Sequence, residues 1–367
     1  MCEIISTLPN VTGSKPTIKD VAKEANVGIS IVSYVLNNTP GRSIPNETKQ
    51  RVFDAVKRLN FVPNAAARSM RTQKVMNVGL ISTWDITNDS FTAMLQGIVD
   101  TLDQRGYTLT IGNIEKHNME QSNVLKHYSQ NKIEGILFMS HPSRVEEEEI
   151  YIHAFQKLAI PFVLLSGMSK DPMINSISLN YYQTSYLAAE QLIKLGHRHI
   201  GYLYSIDMER LMPEEVAARF NGYKAAMRTH ELAIAEDAIL KIDMDDMAWS
   251  DQEMIRYLQE TRTTCGITAI VSYKTRYAAA LMNIAIDCGV NIPKELSIIS
   301  ANYQSMAPFL YPSLSTVQFP LYEVGSKGAE ILLQTIEGNQ QTPMQMMYAG
   351  VLCSRGSEGT QCNLQKS

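Results

Sequence analysis

Seven short apolar runs follow one another between residues 75 and 300, and segments with helical periodicity separate most of them. Alternating strands and helices predict parallel sheets that are covered by helices on both faces. The number of runs, in a chain of 367 residues of which 45% are hydrophobic, predicts two such domains. The runs are VMNVGLIS, YTLTIGN, GILFMS, PFVLLS, HIGYLYS, AIVSY and LSIIS.

These repeated units carry no motif for a nucleotide cofactor. The first strand–helix unit lacks G-x-G-x-x-G, and G-x-x-x-x-G-K-[ST] is absent from the chain. His197 and His199 are not spaced as zinc ligands on one helix face, and no set of catalytic residues is evident. We therefore expect no enzyme, no cofactor and no metal site.

The N-terminal segment MCEIISTLPNVTGSKP has neither a basic start nor a long apolar run, which predicts that there is no signal peptide. No apolar run approaches membrane-spanning length. The five cysteines are scattered and odd in number, which favours a reducing compartment over a disulfide framework. We expect a cytoplasmic protein with no membrane partner.

Positive charge is concentrated near the N-terminus. Residues 15–74 contain eleven Lys and Arg but four Asp and Glu, a net charge of +7. Because the whole chain carries −4, the remainder carries −11. This asymmetry is typical of a polyanion-binding head on an acidic body.

The stretch TIKDVAKEANVGISIVSYVLN, residues 17–37, predicts two short helices joined by a tight turn. Thr17 and Asp20 resemble a capping box, and Asn26 belongs to the few residue types tolerated at positive φ. A third helix after Asn46 completes a helix-turn-helix unit. A structural three-helix bundle without DNA contact is the alternative, and the basic charge makes it less favoured.

The same stretch, continued by ETKQRVFDAVKRLNFVPNAAARSMRT, resembles the DNA-binding head of the lactose-repressor/galactose-repressor (LacI/GalR) family. The resemblance implies that the second helix lies in the major groove. Tyr34 stands where family members commonly have Arg, and Tyr cannot grip guanine with two hydrogen bonds. We therefore predict an unusual operator base opposite Tyr34. The implied DNA contacts in the head are Thr17, Ile29, Ser30, Ser33, Tyr34 and Asn37.

Residues 63–74 resemble the family's hinge helix, which folds only on DNA and wedges a Leu into the minor groove. Met70 occupies that Leu position, and Met is apolar and of similar volume. A flexible linker with helical tendency is the alternative. The implied hinge contacts are Asn64, Ala67, Arg68 and Met70.

The resemblance continues to about residue 357 and implies a periplasmic-binding-protein-like α/β body with two parallel-sheet subdomains. The expected divisions are a disordered tail at 1–14, the head at 15–62, the body at 75–357 and a tail at 358–367. The resemblance places subdomain 1 at about 75–175 plus 304–335. It places subdomain 2 at about 176–303 plus 336–357.

Six residues are candidates for effector contact in the cleft between these subdomains. Arg219 matches a ligand-contacting Arg of the family. Phe91 could stack on a ring ligand or pack in the core, and Asp85 could contact the effector or cap a helix. The remaining candidates stand at cleft positions where this chain departs from the family pattern, and they are Asn180, Lys274 and Asn302.

Two cleft acids of the family are Asn here and a Lys is added, which favours an anionic effector such as a phosphorylated sugar over a neutral sugar. A non-functional cleft with control by a partner protein is the alternative. The last residues show no heptad, which predicts a dimer on a palindromic operator. We expect a transcriptional regulator, most often a repressor in this family. A solute-binding protein would need an export signal and no basic head.

Overall fold

A computed structural model describes residues 16–36, 43–61, 75–112, 123–143, 145–167, 169, 171–242, 251–339 and 342–361. The chain forms two units, residues 1–75 and 76–367. The predicted tail at 1–14, the predicted hinge at 63–74 and the last six residues lie outside the described part.

The first unit contains three helices, α1 (Ile18–Glu24), α2 (Ile29–Leu36) and α3 (Asn46–Arg58). Asn26 adopts φ 52° between α1 and α2, which confirms the predicted tight turn. The three helices share a small core of fully buried aliphatic side chains, namely Val21, Val32, Val52 and Ala55. The helix-turn-helix prediction is confirmed.

The second unit begins with a six-stranded parallel sheet. Its strands are β1 (Asn77–Ser82), β2 (Thr108–Ile111), β3 (Ile136–Met139), β4 (Phe162–Leu165), β5 (Ser176–Leu179) and β11 (Gln345–Tyr348). Their order is β11-β5-β4-β3-β1-β2. Helices α4 (Asp89–Gln104) and α12 (Leu321–Ile336) cover one face. Helices α5 (Asn123–Ser129) and α6 (Val145–Lys157) cover the other. This is subdomain 1.

A second six-stranded sheet forms subdomain 2 in the order β12-β10-β9-β8-β6-β7. Its strands are β6 (Ile200–Ser205), β7 (Ile239–Ile242), β8 (Ala269–Ser272), β9 (Ser297–Ser300), β10 (Ser315–Gln318) and β12 (Val351–Cys353). All neighbours are parallel except β12, which is antiparallel to β10. Its helices are α7 (Tyr181–Lys194), α8 (Ile206–Leu211), α9 (Pro213–Thr229), α10 (Asp251–Thr264) and α11 (Thr275–Asp287).

The chain crosses between the subdomains three times, after β5, β10 and β11. The predicted boundaries at 175, 304 and 335 are therefore wrong. Because β5 completes the first sheet and β10 completes the second, the crossings follow residues 179 and 318. The last crossing follows residue 348, since β11 pairs with β5. All seven apolar runs form strands, as predicted.

The body also continues past its predicted end at residue 357. The Gln361 amide donates a hydrogen bond to the Leu195 carbonyl at 3.0 Å. The Gly359 carbonyl lies 3.0 Å from Nε2 of His197, a buried side chain. Residues 358–361 are thus packed on subdomain 2.

Candidate functional site

One face of helix α2 points away from the small core of the first unit, and it carries both polar and apolar side chains. Ile29 is 45% exposed and Ser30 is exposed, whereas Ser33 and Tyr34 are half-buried. The structure therefore brings these four predicted contacts together on one face of the helix. The other predicted contacts Asn37, Asn64, Ala67, Arg68 and Met70 lie outside the described residues.

Thr17 starts α1 and is exposed. Its hydroxyl and its amide each donate a hydrogen bond to Oδ2 of Asp20, both at 2.7 Å. The hydroxyl bond lowers the pKa of Asp20 below its ordinary value. The expected capping arrangement is present, so Thr17 stabilises the start of the helix-turn-helix.

A cleft lies between the two subdomains at the carboxyl ends of their strands, where ligands bind in open α/β sheets. Trp84 and His141 come from subdomain 1, two residues after β1 and β3. Lys274 and Asn302 come from subdomain 2, two residues after β8 and β9. The cavity has a volume of about 70 Å³. Other lining side chains are Asn88, Ser90, Tyr181, Glu215, Arg219, Tyr303, Gln304 and Phe319.

Arg219 is held by a buried ion pair. Its Nε donates to Oε1 of Glu215 at 2.9 Å, and the two side chains are only 2% and 7% exposed. Its Nη1 donates to Oγ1 of Thr184 at 2.8 Å and to the carbonyl of Ala301. Burial would raise the pKa of Glu215, but the charge and hydrogen bond of Arg219 keep that pKa below its ordinary value. Arg219 thus connects α9 to the end of β9.

Aromatic rings enclose the same guanidinium. The centre of the Arg219 guanidinium lies 4.9 Å from the ring centroid of Tyr181 and 5.3 Å from that of Tyr273. Such cation–π contacts are strengthened when water is excluded. Arg219 is thus held on several sides, and it also lines the cavity.

Lys274 enters the cleft as the residue before α11. Its Nζ lies 3.3 Å from Sδ of Met208, a weak acceptor, and 5.3 Å from the centroid of the Tyr273 ring. Burial lowers the pKa of Lys274 to about 8, although the nearby Glu215 charge opposes this shift. Among the described residues, no carboxylate lies within salt-bridge distance of this amine.

Subdomain 1 contributes an aromatic wall. The rings of Trp84 and His141 pack edge to face, with centroids 4.5 Å apart. The indole Nε1 donates to the carbonyl of Ser140 at 2.9 Å and to Oγ of Ser166 at 3.1 Å. These bonds fix the indole against the ends of two strands, so the wall is preorganised.

The three remaining effector candidates differ in position. Phe91 is 3% exposed and packs in the core of subdomain 1, so its core-packing alternative is supported and a stacking role is not. Asp85 accepts hydrogen bonds from the amide and hydroxyl of Thr87, at 2.8 and 2.7 Å, outside the cleft lining. Asn180 caps α7 through the amide of Gln183 at 3.0 Å. These three do not line the cleft cavity.

The structure also shows cleft residues that the sequence analysis missed, chiefly Trp84, His141 and Glu215. Trp84 lies two residues beyond one predicted strand, and His141 directly follows another. Glu215 lies four residues before Arg219, the spacing of a helical ion pair. These signals were present in the sequence.

Two kinds of site are not found within the described residues. No helix there combines the length and apolar character needed to cross a membrane. No group of three or more His, Cys, Asp or Glu side chains there is placed to hold a metal ion.

Two family models match the chain. The model for bacterial regulatory proteins of the lacI family matches residues 17–64, and the periplasmic binding protein-like domain matches residues 189–357. The chain therefore carries a helix-turn-helix domain of the LacI family and a periplasmic-binding-protein-like domain. The first model covers the helix-turn-helix head, and the second covers the body from α7 onward.

Two relatives are similar to this chain over most of its length. Catabolite control protein A of Priestia megaterium is 28% identical, over 86% of this chain and 91% of the relative. The HTH-type transcriptional repressor PurR of Klebsiella pneumoniae (strain 342) is 29% identical, over 89% of this chain and 92% of the relative. The lacI-type head together with this similarity to a transcriptional repressor identifies the chain as a LacI-type DNA-binding transcriptional regulator and not an enzyme.

Solved structures share the fold. The lac repressor dimer bound to operator and the anti-inducer ONPF superposes with a TM-score of 0.70 at 18% identity, covering 95% of this chain and all of that one. The cellobiose complex of the transcriptional regulator CelR has a TM-score of 0.59 at 19% identity, covering 93% and 99%. At these identities the similarity concerns the LacI-family fold alone.

Proposed function

We propose that the protein is a cytoplasmic repressor that binds a palindromic operator as a homodimer and responds to a small anionic effector in the cleft. The observation that carries this proposal is the combination of an exposed α2 face in a LacI-type head with a half-buried Lys274 in the cleft that has no carboxylate within salt-bridge distance among the described residues. The α2 face supplies the contact to DNA, and Lys274 supplies a charge that an anionic ligand would neutralise.

Dimerisation is supported by exposed apolar side chains in subdomain 2. Phe309 is 86% exposed and Tyr311 is 91% exposed, within the same loop after β9. Large exposed aromatic residues that lie together often mark an interface. Two heads would also double the number of base contacts on a symmetric site.

The effector class follows from the charge in the cleft. Glu215 neutralises Arg219, so the positive charge of Lys274 remains without a carboxylate partner among the described residues. A phosphate or carboxylate group would pair with Lys274. The rings of Trp84 and Phe319 would pack against the apolar faces of a sugar. A phosphorylated sugar or a related acidic metabolite combines both features.

The cleft volume supports control by a change of conformation. Ligand pockets usually measure roughly 300–1,000 Å³, whereas this cleft has about 70 Å³. Binding would therefore require the subdomains to move apart. The effector alters operator affinity only if it binds the two arrangements with different affinity. The hinge at 63–74, with Met70 as the wedge, would transmit the change.

DNA binding is tested by selection from a randomised duplex pool at two stated salt concentrations, with wild type and Met70→Gly side by side. We expect wild type to enrich a palindrome with an altered base opposite Tyr34, and the variant to bind it more weakly. Tyr34→Arg should restore the common family half-site. Sequence-blind binding by wild type would contradict the operator proposal.

Effector binding is tested by calorimetry with glucose 6-phosphate and glucose as probes. We expect glucose 6-phosphate to bind wild type and Lys294→Met, an exposed lysine control, and to bind Lys274→Met at least tenfold more weakly. Binding of glucose alone would refute an anionic effector. Binding of neither would favour control by a partner protein.

A further inference from the structure

A second and larger cavity lies beside the cleft, on the other side of Tyr181. It has a volume of about 270 Å³ and takes its walls from both subdomains. Leu179 and Met347 come from the ends of β5 and β11, and Ala218 comes from α9. Tyr181 and Glu215 line both cavities and separate them.

Most of the wall is apolar or aromatic. Leu179, Ala218 and the rings of Tyr181 and Tyr182 surround the space. Tyr182 and Met347 are 41% and 57% exposed, so a small molecule can enter between them. This wall suits a ligand with an apolar portion.

Two buried carboxylates interrupt the apolar wall, those of Glu148 on α6 and Glu215 on α9, and of these Glu215 is already paired with Arg219. Glu148 is 8% exposed, and no cation in the described part of the chain lies within salt-bridge distance of it. A Cβ at Gly167 would overlap its carboxylate, so the glycine makes room for this position. Burial raises the pKa of Glu148, and the charges of Glu149 and Glu214 add to the shift.

The hydroxyl of Tyr181 is another buried polar group at this cavity. It is buried and has no hydrogen-bond partner among the described residues. A buried polar group without a partner costs free energy, as does a buried charge without a counter-ion. Both defects occur at the same cavity, and both would be relieved by a ligand that donates hydrogen bonds and carries positive charge.

We propose that this cavity is a second ligand site that binds a small organic cation, an amine or guanidinium group attached to an apolar portion. Glu148 is the counter-ion of the bound cation, and the Tyr181 hydroxyl accepts a hydrogen bond from the cation. The rings of Tyr181 and Tyr182 contact the cation through cation–π interactions. The site is independent of Lys274 and of the proposed anionic effector. Because its walls belong to both subdomains, the occupant stabilises the present arrangement of the body.

The test uses benzylamine as the probe and benzyl alcohol as its neutral counterpart, with the full-length protein in a calorimeter. We expect benzylamine to bind wild type, and benzyl alcohol to bind at least tenfold more weakly. Glu148→Gln should weaken benzylamine at least tenfold. Glu146→Gln removes an exposed acid from the same helix and should leave binding unchanged.

Ala218→Phe fills the cavity without touching Glu148 and should abolish binding while the protein stays folded by thermal unfolding. Equal binding of benzylamine and benzyl alcohol, or unchanged binding by Glu148→Gln, would overturn the proposal. So would the absence of benzylamine binding to wild type. None of these results depends on operator binding or on glucose 6-phosphate.

Discussion

The two subdomains share one construction but treat buried charge in different ways. Each has a six-stranded sheet covered on one face by a closely packed helix pair. In subdomain 2 the buried acid Glu215 has Arg219 as its partner. In subdomain 1 the buried acid Glu148 has no cation within salt-bridge distance among the described residues. The buried acid is thus part of a structural ion pair in subdomain 2, and it is available to a ligand in subdomain 1.

The largest expected effect comes from breaking the paired charge of subdomain 2. Arg219→Ala leaves Glu215 buried without its counter-ion and removes the bonds to Thr184 and Ala301. We expect the free energy of unfolding to fall by about 3–5 kcal/mol. Urea denaturation measures it.

The control for that variant is Lys194→Ala. Lys194 is 61% exposed in its ion pair with Glu190, so its loss should cost only about 0–1 kcal/mol. Similar losses for both variants would show that burial does not distinguish the two pairs.

The second effect concerns Lys274, whose pKa is lowered from 10.5 to about 8. Below pH 8 the amine is protonated in the folded and unfolded states, so the cost of burying its charge is fully present. Between pH 8 and 10.5 the unfolded state binds more protons, and stability rises with pH. Wild type should therefore gain about 3 kcal/mol over this range relative to Lys274→Met. A pH series of urea denaturation measures the difference.

The same shift predicts how effector affinity depends on pH. An anion at Lys274 favours its protonated form, so the affinity for glucose 6-phosphate should fall as pH rises through 8. Calorimetry at pH 7 and pH 9 with wild type checks this expectation. An affinity that does not change would place the anion elsewhere.

The third effect tests whether the two helix pairs are built alike. A Cβ at Gly97 on α4 would overlap the carbonyl of Tyr322 on α12, and a Cβ at Gly222 on α9 would overlap the carbonyl of Tyr182 on α7. Gly97→Ala and Gly222→Ala should each cost about 1–3 kcal/mol. Ala217→Ser, exposed on α9, is the control and should change little. Thermal unfolding ranks the three variants.

The smallest expected effect comes from a comparison of the two buried acids, Glu148 and Glu215, each replaced by Gln. Glu148→Gln removes an uncompensated charge and should raise the free energy of unfolding at pH 7 by about 1 kcal/mol. Because the folded pKa of Glu148 is raised, this gain should shrink as pH falls toward 4.5. Glu215→Gln should instead lower stability, since Arg219 then lacks its partner. The same sign for both variants would remove the distinction between the subdomains.

The sequence predicted seven strands because a buried parallel strand is continuously apolar. It did not reveal β5, β7, β10, β11 and β12, which are three or four residues long and mostly include polar residues, as ILKI, STVQ and QMMY show. Of these, β5, β10 and β11 place the crossings, so the subdomain boundaries were displaced. Their pairing depends on contacts between segments that lie far apart in the chain.

The cleft was predictable in part. Arg219, Lys274 and Asn302 were candidates and line the cavity together. Phe91 could not be assigned from its helical position, because one face of α4 supplies the core and local sequence does not show which face. Of the second cavity only Asn180 was a candidate, since the rest depends on the space above Gly167 and on the burial of Glu148 within the run of four acids at 146–149.

The three crossings between the subdomains have a consequence for any attempt to divide the protein. Each sheet is assembled from two segments that are separated in the chain, so a single cut leaves at least one sheet without a strand. Neither subdomain can be expressed alone as one continuous fragment. A chimeric protein would therefore have to contain the body as a whole. The head is a separate unit of the chain, so it is the part that could be exchanged for the head of a relative.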